Sequence, residues 1–161
     1  RDRSVSRGLG DVYKRQALFM GEYNHTIDAK GRLIIPSKFR ELLGDQFVVT
    51  RGLDGCLFLF PMDEWRTFEE KLKKLPLADK GARAFSRFFT AGATLCDIDK
   101  QGRALIPGTL REFANIDKDV ILAGLLNRIE LWGKERYEEV NKFDNMDEIA
   151  EQLVTNLNLD I

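Results

Sequence analysis

Histidine and cysteine are scarce in this 161-residue chain: His25 stands alone, and Cys56 and Cys96 are the only thiols. One histidine leaves little material for histidine-based catalysis. Two cysteines form neither a disulfide framework nor a C-x-x-C metal pair, so no cofactor and no metal site is expected. No apolar run approaches the ~20 residues that a membrane-spanning helix needs. An excess of one charge is missing as well. Lys and Arg number 25 against 26 Asp and Glu, which excludes a uniformly basic nucleic-acid coat but leaves room for a local basic patch. What is present is an ordinary globular mixture, 43% hydrophobic and 32% charged, enough for a core in one domain or two very small ones. The composition points to a soluble, cytosolic protein and leans away from enzymes.

Residues 1–16 are polar and basic and lack the apolar stretch of a secretory signal. Asp11-Val12-Tyr13-Lys14-Arg15-Gln16 reads as the translation of a sequencing-library adapter, so 1–16 is expected to be a non-native scar. The alternative is a natural basic arm. Without it, residues 17–161 carry 20 basic and 24 acidic side chains. The tail at 144–161 holds five acids and no base, leaving the body at 17–143 with 20 bases and 19 acids. An acidic tail on a near-neutral body permits a basic face on that body.

The strongest signal is an internal duplication. Asp28-Ala29-Lys30-Gly31-Arg32-Leu33-Ile34-Ile35-Pro36 recurs 71 positions later as Asp99-Lys100-Gln101-Gly102-Arg103-Ala104-Leu105-Ile106-Pro107. Nine of the 21 positions from 21 to 41 are identical at that offset, among them Arg40-Glu41 with Arg111-Glu112. Gly52-Leu53 then matches Gly124-Leu125, and Leu59-Phe60 matches Leu131-Trp132. A solenoid needs at least three repeats. Two imply a pseudo-dimer, one folding unit duplicated and packed against itself.

Both halves predict the same order of elements. A strand at Glu22–Ile27 or Ala93–Ile98 leads into an Asp-x-x-Gly-Arg turn, where Asp and Gly are turn formers. A strand at Leu33–Ile35 or Ala104–Ile106 follows and is ended by Pro36 or Pro107. Next comes a short helix at Ser37–Leu43 or Thr109–Ala114, with Ser37 and Thr109 as expected N-caps. A second hairpin pairs Phe47–Thr50 with Cys56–Phe60, or Val120–Ala123 with Arg128–Trp132. A helix closes each half. Pro61 is its expected first residue, ahead of Met62, Trp65, Phe68, Leu72 and Leu75 at helical spacing. Tyr137 and Val140 align with that stripe. Ala82, Phe85 and Phe89 suggest one more helix. In the tail, Met146, Ile149, Leu153 and Leu157 form an apolar stripe opposite acids, which needs a partner surface on its own or a neighbouring subunit. Ile27, Leu33, Ile35, Ile98, Leu105 and Ile106 are the expected shared core.

The motifs offer little to catalysis. His25 sits in a strand opposite Cys96 in the alignment, with no nucleophile spaced to use it. Asp28 and Asp99 could form an acid/base pair, but each opens a Gly-Arg turn, where a local bracing role fits better. Gly31 and Gly102 supply the turn's backbone freedom. No phosphate-loop pattern is present. Nucleic acid fits better. Lys30 and Arg32 sit at one turn and Lys100 and Arg103 at the other, while Lys38, Arg40 and Arg111 follow on the short helices. Arginine binds a guanine edge bidentately and neutralises phosphate, and a two-stranded ribbon fits the major groove. A turn needs Asp and Gly, but it has no need of the same Arg twice.

The opening Phe19-Met20-Gly21-Glu22-Tyr23, the two Asp-x-x-Gly-Arg segments ending in Pro36 and Pro107, and the Trp65 and Trp132 regions resemble the MraZ family, over roughly residues 18–160. These are bacterial regulators at the head of the division and cell-wall gene cluster. One copy of the motif would indicate only the wider AbrB-type swapped-hairpin class. The resemblance implies an α+β, mainly β fold. In it, tandem AbrB-like halves interleave their hairpins into a pseudo-two-fold β-barrel with peripheral helices. It also implies ring-shaped homo-oligomers that bind direct repeats in promoter DNA, in the cytoplasm and at the nucleoid. The family's Asp-x-x-x-Arg motif maps onto Asp28 with Arg32 and Asp99 with Arg103. Lys30 matches its basic central position. Gln101 replaces that residue in the second half, with Lys100 before it. Leu18 stands where the family has its starting methionine.

The expected division is 1–16 scar, 17–90 first repeat with a helical extension, 91–143 second repeat and 144–161 acidic helical tail. A non-enzymatic regulator acting on double-stranded DNA as a homo-oligomer, away from membranes, is the leading function. The DNA-binding candidates are Lys30, Arg32, Lys38, Lys100 and Arg103, and the turn-structural ones Asp28, Gly31, Asp99 and Gly102. The alternative is an oligomeric assembly protein to which DNA is irrelevant.

Overall fold

The computed structural model describes residues 18–160. The scar expected at 1–16 lies outside the described residues. In chain order the elements are β1 (Glu22–Thr26), β2 (Arg32–Ile34), α1 (Ser37–Leu43), β3 (Gln46–Arg51), β4 (Leu57–Pro61), α2 (Met62–Lys73), α3 (Lys80–Ala91), β5 (Thr94–Asp97), β6 (Arg103–Leu105), α4 (Gly108–Phe113), β7 (Asp119–Gly124), β8 (Ile129–Gly133), α5 (Lys134–Val140) and α6 (Met146–Leu157). One antiparallel sheet has the order β1-β7-β8-β4-β3-β5, and β2 pairs with β6 in a separate two-stranded ribbon.

Exchanging β1–β4 for β5–β8 turns that order into its own reverse, so the pairing obeys a pseudo-two-fold. The exchange also shows where the backbone hydrogen bonds go. β1 pairs with β7, β2 with β6, β3 with β5 and β4 with β8. Every strand of the first half thus has a partner in the second. Within a half, only the hairpins β3·β4 and β7·β8 form ladders. The expected β1–β2 hairpin opens after a single bridge, Ile27 to Leu33, mirrored by Ile98 to Ala104. Those bridges join ribbon to sheet. Among the described residues no continuous ladder closes a barrel; the sheet is open, with β1 and β5 at its edges.

Strand side chains alternate between faces, and the central strands are buried on both, which is why Cys56–Phe60 is an unbroken apolar run. One face carries Phe47, Val49, Leu57, Leu59, Leu122 and Leu131 and is covered by the ribbon, α1 and α4 through Leu33, Ile35, Phe39, Ile106 and Leu110. The other carries Val48, Phe58, Phe60, Ile121 and Trp132 beneath α2, α3 and α5, which contribute Trp65, Leu72, Phe89 and Tyr137. Before β1, the chain is fastened as well. Phe19 exchanges two backbone hydrogen bonds with Leu126 and packs edge-on against Phe39.

Four local expectations are corrected. Ser37 and Thr109 are not N-caps. Pro36 and Pro107 hold those positions without any side-chain cap bond, because the fixed proline φ with an extended ψ makes the strand-to-helix corner. The Pro36 carbonyl instead receives the first helical N–H groups, from Phe39 and Arg40. Pro61 likewise precedes its helix as N-cap. Leu105 is 58% exposed rather than in the core. In a three-residue strand only one parity faces inward, and pairing Leu33 with Ala104 puts Ala104 inside and Leu105 out. Val140 is also exposed, since α5 ends there.

Leu33→Ala should therefore destabilise by about 2–5 kcal/mol, as buried leucines do. Leu105→Ser should stay within about 0.5 kcal/mol. Urea unfolding followed by circular dichroism distinguishes the two; equal losses would contradict the assigned parity.

Candidate nucleic-acid interface

The ribbon and its two turns gather the duplicated motif. In the first turn, the Asp28 carbonyl accepts from Gly31 N at 2.9 Å, a four-residue β-turn, and Asp28 N donates to Arg32 O at 3.0 Å. The Asp28 side chain closes it from within: Oδ1 accepts from Lys30 N at 3.0 Å and Arg32 N at 2.9 Å. Its other oxygen, Oδ2, accepts from Arg32 Nε at 2.7 Å. The second turn repeats each bond. Asp99 Oδ1 accepts from Gln101 N and Arg103 N, both at 2.9 Å, and Oδ2 from Arg103 Nε at 3.0 Å. The spacing Asp-x-x-x-Arg is what lets one carboxylate satisfy a turn's N–H groups and orient the arginine. Both ion pairs lie at the surface, where water weakens them, so their main effect is on direction.

The glycines interlock the halves. Gly31 has φ +90°, and a Cβ there would sit 2.8 Å from the Arg111 guanidinium and from the Ile106 carbonyl oxygen. Gly102, φ +79°, lies under Arg40 in the same way. Backbone bonds complete the lock, from Ile106 N to Gly31 O at 2.8 Å and from Ile35 N to Gly102 O at 2.9 Å. Arg40 and Arg111 thus pack on the opposite half's turn, and Arg111 Nε also donates to the Ile106 carbonyl at 3.0 Å.

Pairing across the ribbon sets Arg32 opposite Leu105 and Ile34 opposite Arg103. These four side chains share its outer face. Ile34 and Leu105 are 50% and 58% exposed between the two arginines. Because the strands are antiparallel, the two turns sit at opposite ends, with Lys30 and Lys100 exposed at the tips. Lys38 is exposed on α1. The sequence pattern did not mark Ile34 and Leu105 as surface residues; only knowledge of the partner strand settles which parity of a three-residue strand faces out.

The remaining candidates fall elsewhere. Asp28 and Asp99 belong to separate turns. Both are held below the ordinary aspartate value of 3.8, chiefly by the N–H of Arg32 or Arg103, with the guanidinium adding to it. That direction suits a permanently ionised brace and opposes a proton donor. Burial pushes both thiols up, Cys96 to about 11, so neither is a ready nucleophile. His25 lies in β1 opposite Val120.

A lowered carboxylate pKa gives the folded state an advantage that is complete above the unfolded value and lost as pH falls through the lower folded one. Asp28→Asn/Asp99→Asn should therefore melt below the native protein at pH 6, and the gap should close as pH falls below 3.8 toward 2. Melting curves across that range check it; a constant gap would assign the loss to packing instead of charge.

The family model described as "MraZ protein, putative antitoxin-like" matches the chain twice, over residues 18–88 and 89–157. A protein named Transcriptional regulator MraZ from Lachnoclostridium phytofermentans is 60% identical over 136 residues, covering 84% of this chain and 95% of that protein. Proteins of the same name from Caldanaerobacter subterraneus subsp. tengcongensis and Clostridium tetani are 59% and 57% identical, each over 84% of this chain and 96% of the relative. Both halves of the fold fall within the matched residues, and the chain belongs to the MraZ family.

Proposed function

We propose that this protein is a transcriptional regulator that binds double-stranded DNA sequence-specifically and is not an enzyme. The observation that carries the reading is the pairing of β2 with β6, which sets Arg32 and Arg103 on one exposed face, each aimed by its own aspartate. At ~3.3–3.4 Å per residue a three-residue strand spans about 10 Å, and the major groove is ~12 Å wide. The ribbon therefore fits the groove with its outer face turned toward the base edges. Arg32 and Arg103 use their outer nitrogens on base edges; Lys30, Lys100 and Lys38 neutralise phosphates. Ile34 and Leu105 supply apolar contact between them, as to a thymine methyl.

The halves 17–90 and 91–143 act as tandem AbrB-like swapped-hairpin repeats, with the ribbon closing over the sheet in a barrel-like unit. A single subunit offers few cations, so its contact is weak. A ring-like homo-oligomer whose subunits each meet one direct repeat raises the effective concentration of the rest. Its target is the promoter of the division and cell-wall gene cluster, at the nucleoid in the cytoplasm, and occlusion of that promoter is the mechanism. The name of the relatives supports regulation of transcription; the family resemblance supports the target.

Arg32→Ala and Arg103→Ala should each weaken binding to repeat DNA by about 1–3 kcal/mol per subunit that uses the contact, leaving the melt intact. Arg32→Ala should be the worse, because the second turn has Gln101 where the first has Lys30. Asp28→Ala should lower both melting temperature and affinity, since it unfastens the turn and the arginine together. Binding isotherms beside thermal melts test this, with affinity falling steeply as salt rises. Native affinity in both arginine variants, or equal retention of scrambled DNA, would move the site off these turns or favour the assembly-protein reading.

A further inference from the structure

A concentration of positive charge lies away from the ribbon. Residues 71–91, the end of α2, the connection and α3, hold six basic side chains, Lys71, Lys73, Lys74, Lys80, Arg83 and Arg87, against one acid, Asp79. That acid is committed to capping α3, accepting from Ala82 N at 2.8 Å. A cavity of about 390 Å³ opens between these two helices, its apolar floor including Trp65, Leu72 and Leu75; Glu69, Lys73 and Arg83 stand at its margin, Lys73 in an exposed pair with Glu70 at 3.2 Å, so that Arg83 is the cation left to face a partner. Phosphate contact alone gives no reason for so apolar a floor.

The complement is α6. None of its residues is buried, and Met146, Leu153, Val154 and Leu157 are 37–61% exposed. At 100° per residue, Met146, Ile149, Leu153 and Leu157 form one stripe that Val154 widens on one side; Asp147 borders that widened edge, Glu151 lies beyond it, and Glu148 is on the opposite face. Residues 144–160 carry five acids and no base. Under the pseudo-two-fold, α5 and α6 follow β8 as α2 and α3 follow β4. Phe89 pins α3 to the sheet by stacking on Phe58 with centroids 6.1 Å apart; α6 carries no aromatic residue to do the same. With 12 residues each, α6 matches α2 and α3 in length.

We infer that α6 of one chain docks its apolar stripe into the α2–α3 groove of a second copy, with its acids against the groove's cations. This rests on the oligomeric part of the proposed function and names its contact. The two surfaces differ, so the interface is heterologous: it propagates from copy to copy and closes into a ring if the rotation allows. Opposite charge steers the encounter, making assembly sensitive to salt.

Light scattering on the full chain tests this with two charge reversals, Lys73→Glu/Arg83→Glu in the groove and Asp147→Lys/Glu151→Lys in α6. The native protein should show an oligomeric mass, and each reversal alone should drop it to that of a single chain with helicity retained. Both reversals in one chain should restore the oligomer. Should Arg83→Glu disturb the connection, where Arg83 donates to the Leu77 carbonyl, Leu153→Asp in α6 reads the same interface from the other side. A native protein of single-chain mass would overturn both this inference and the oligomeric reading. An oligomer indifferent to every variant would overturn the docking alone. Loss of DNA retention at unchanged mass in the groove variant would make the face a phosphate contact and likewise end the inference.

Discussion

Each strand of either half has a hydrogen-bonded neighbour in the other half. An unpaired backbone donor or acceptor in a buried strand costs free energy comparable to a lost hydrogen bond. Neither half can therefore satisfy its own strands, and the interleaving is what makes the core possible. The same constraint builds the exposed face. β2 and β6 exist as strands only through each other, and their pairing brings two arginines from positions 71 apart onto one surface. The interlock of Gly31 with Arg111 and Gly102 with Arg40 fixes the turns that aim them. Stability of the fold and geometry of the candidate site are one arrangement.

Much of this was legible in the residues. The repeated Asp-x-x-Gly-Arg-x-x-Ile-Pro marks two turns and two corners, and helical spacing places α2, α3 and α6. Duplication implied that the halves pack against each other. What local pattern could not show was pairing. Three-residue strands such as Arg103–Leu105 fit either parity, so Leu105 read as core until its partner Arg32 was known. The turn read as a hairpin because a turn between two strands is normally one; here the strands diverge after a single bridge to meet strands of the other half. Proline at the helix starts hid in the same way, since Ser37 and Thr109 are good caps by type but lie past the corner. Arg40 and Arg111 read simply as further cations. Their identity in both halves is explained by the glycine each one covers.

The pseudo-symmetry is incomplete where it bears on use. The turns match bond for bond, but their tips differ, Lys30 against Gln101. Beyond the sheet, α2 and α3 cover one side with an aromatic layer, while α5 buries Tyr137 alone and α6 stands with its stripe exposed. The proposed reading uses both asymmetries. Unequal turns give a direction to a nearly two-fold ribbon, which suits direct repeats. Unequal helical sides give a donor and an acceptor surface for chaining copies. Weak individual contacts summed through such an assembly fit a body whose charge is nearly balanced.

The most direct test of the central claim, a DNA reader built from two interleaved halves, is hydroxyl-radical footprinting of the region upstream of this protein's own gene. The account predicts short protected patches recurring at a fixed spacing over repeated sequence, and their disappearance when the repeats are scrambled. Absence of protection, or continuous protection blind to sequence, would contradict it.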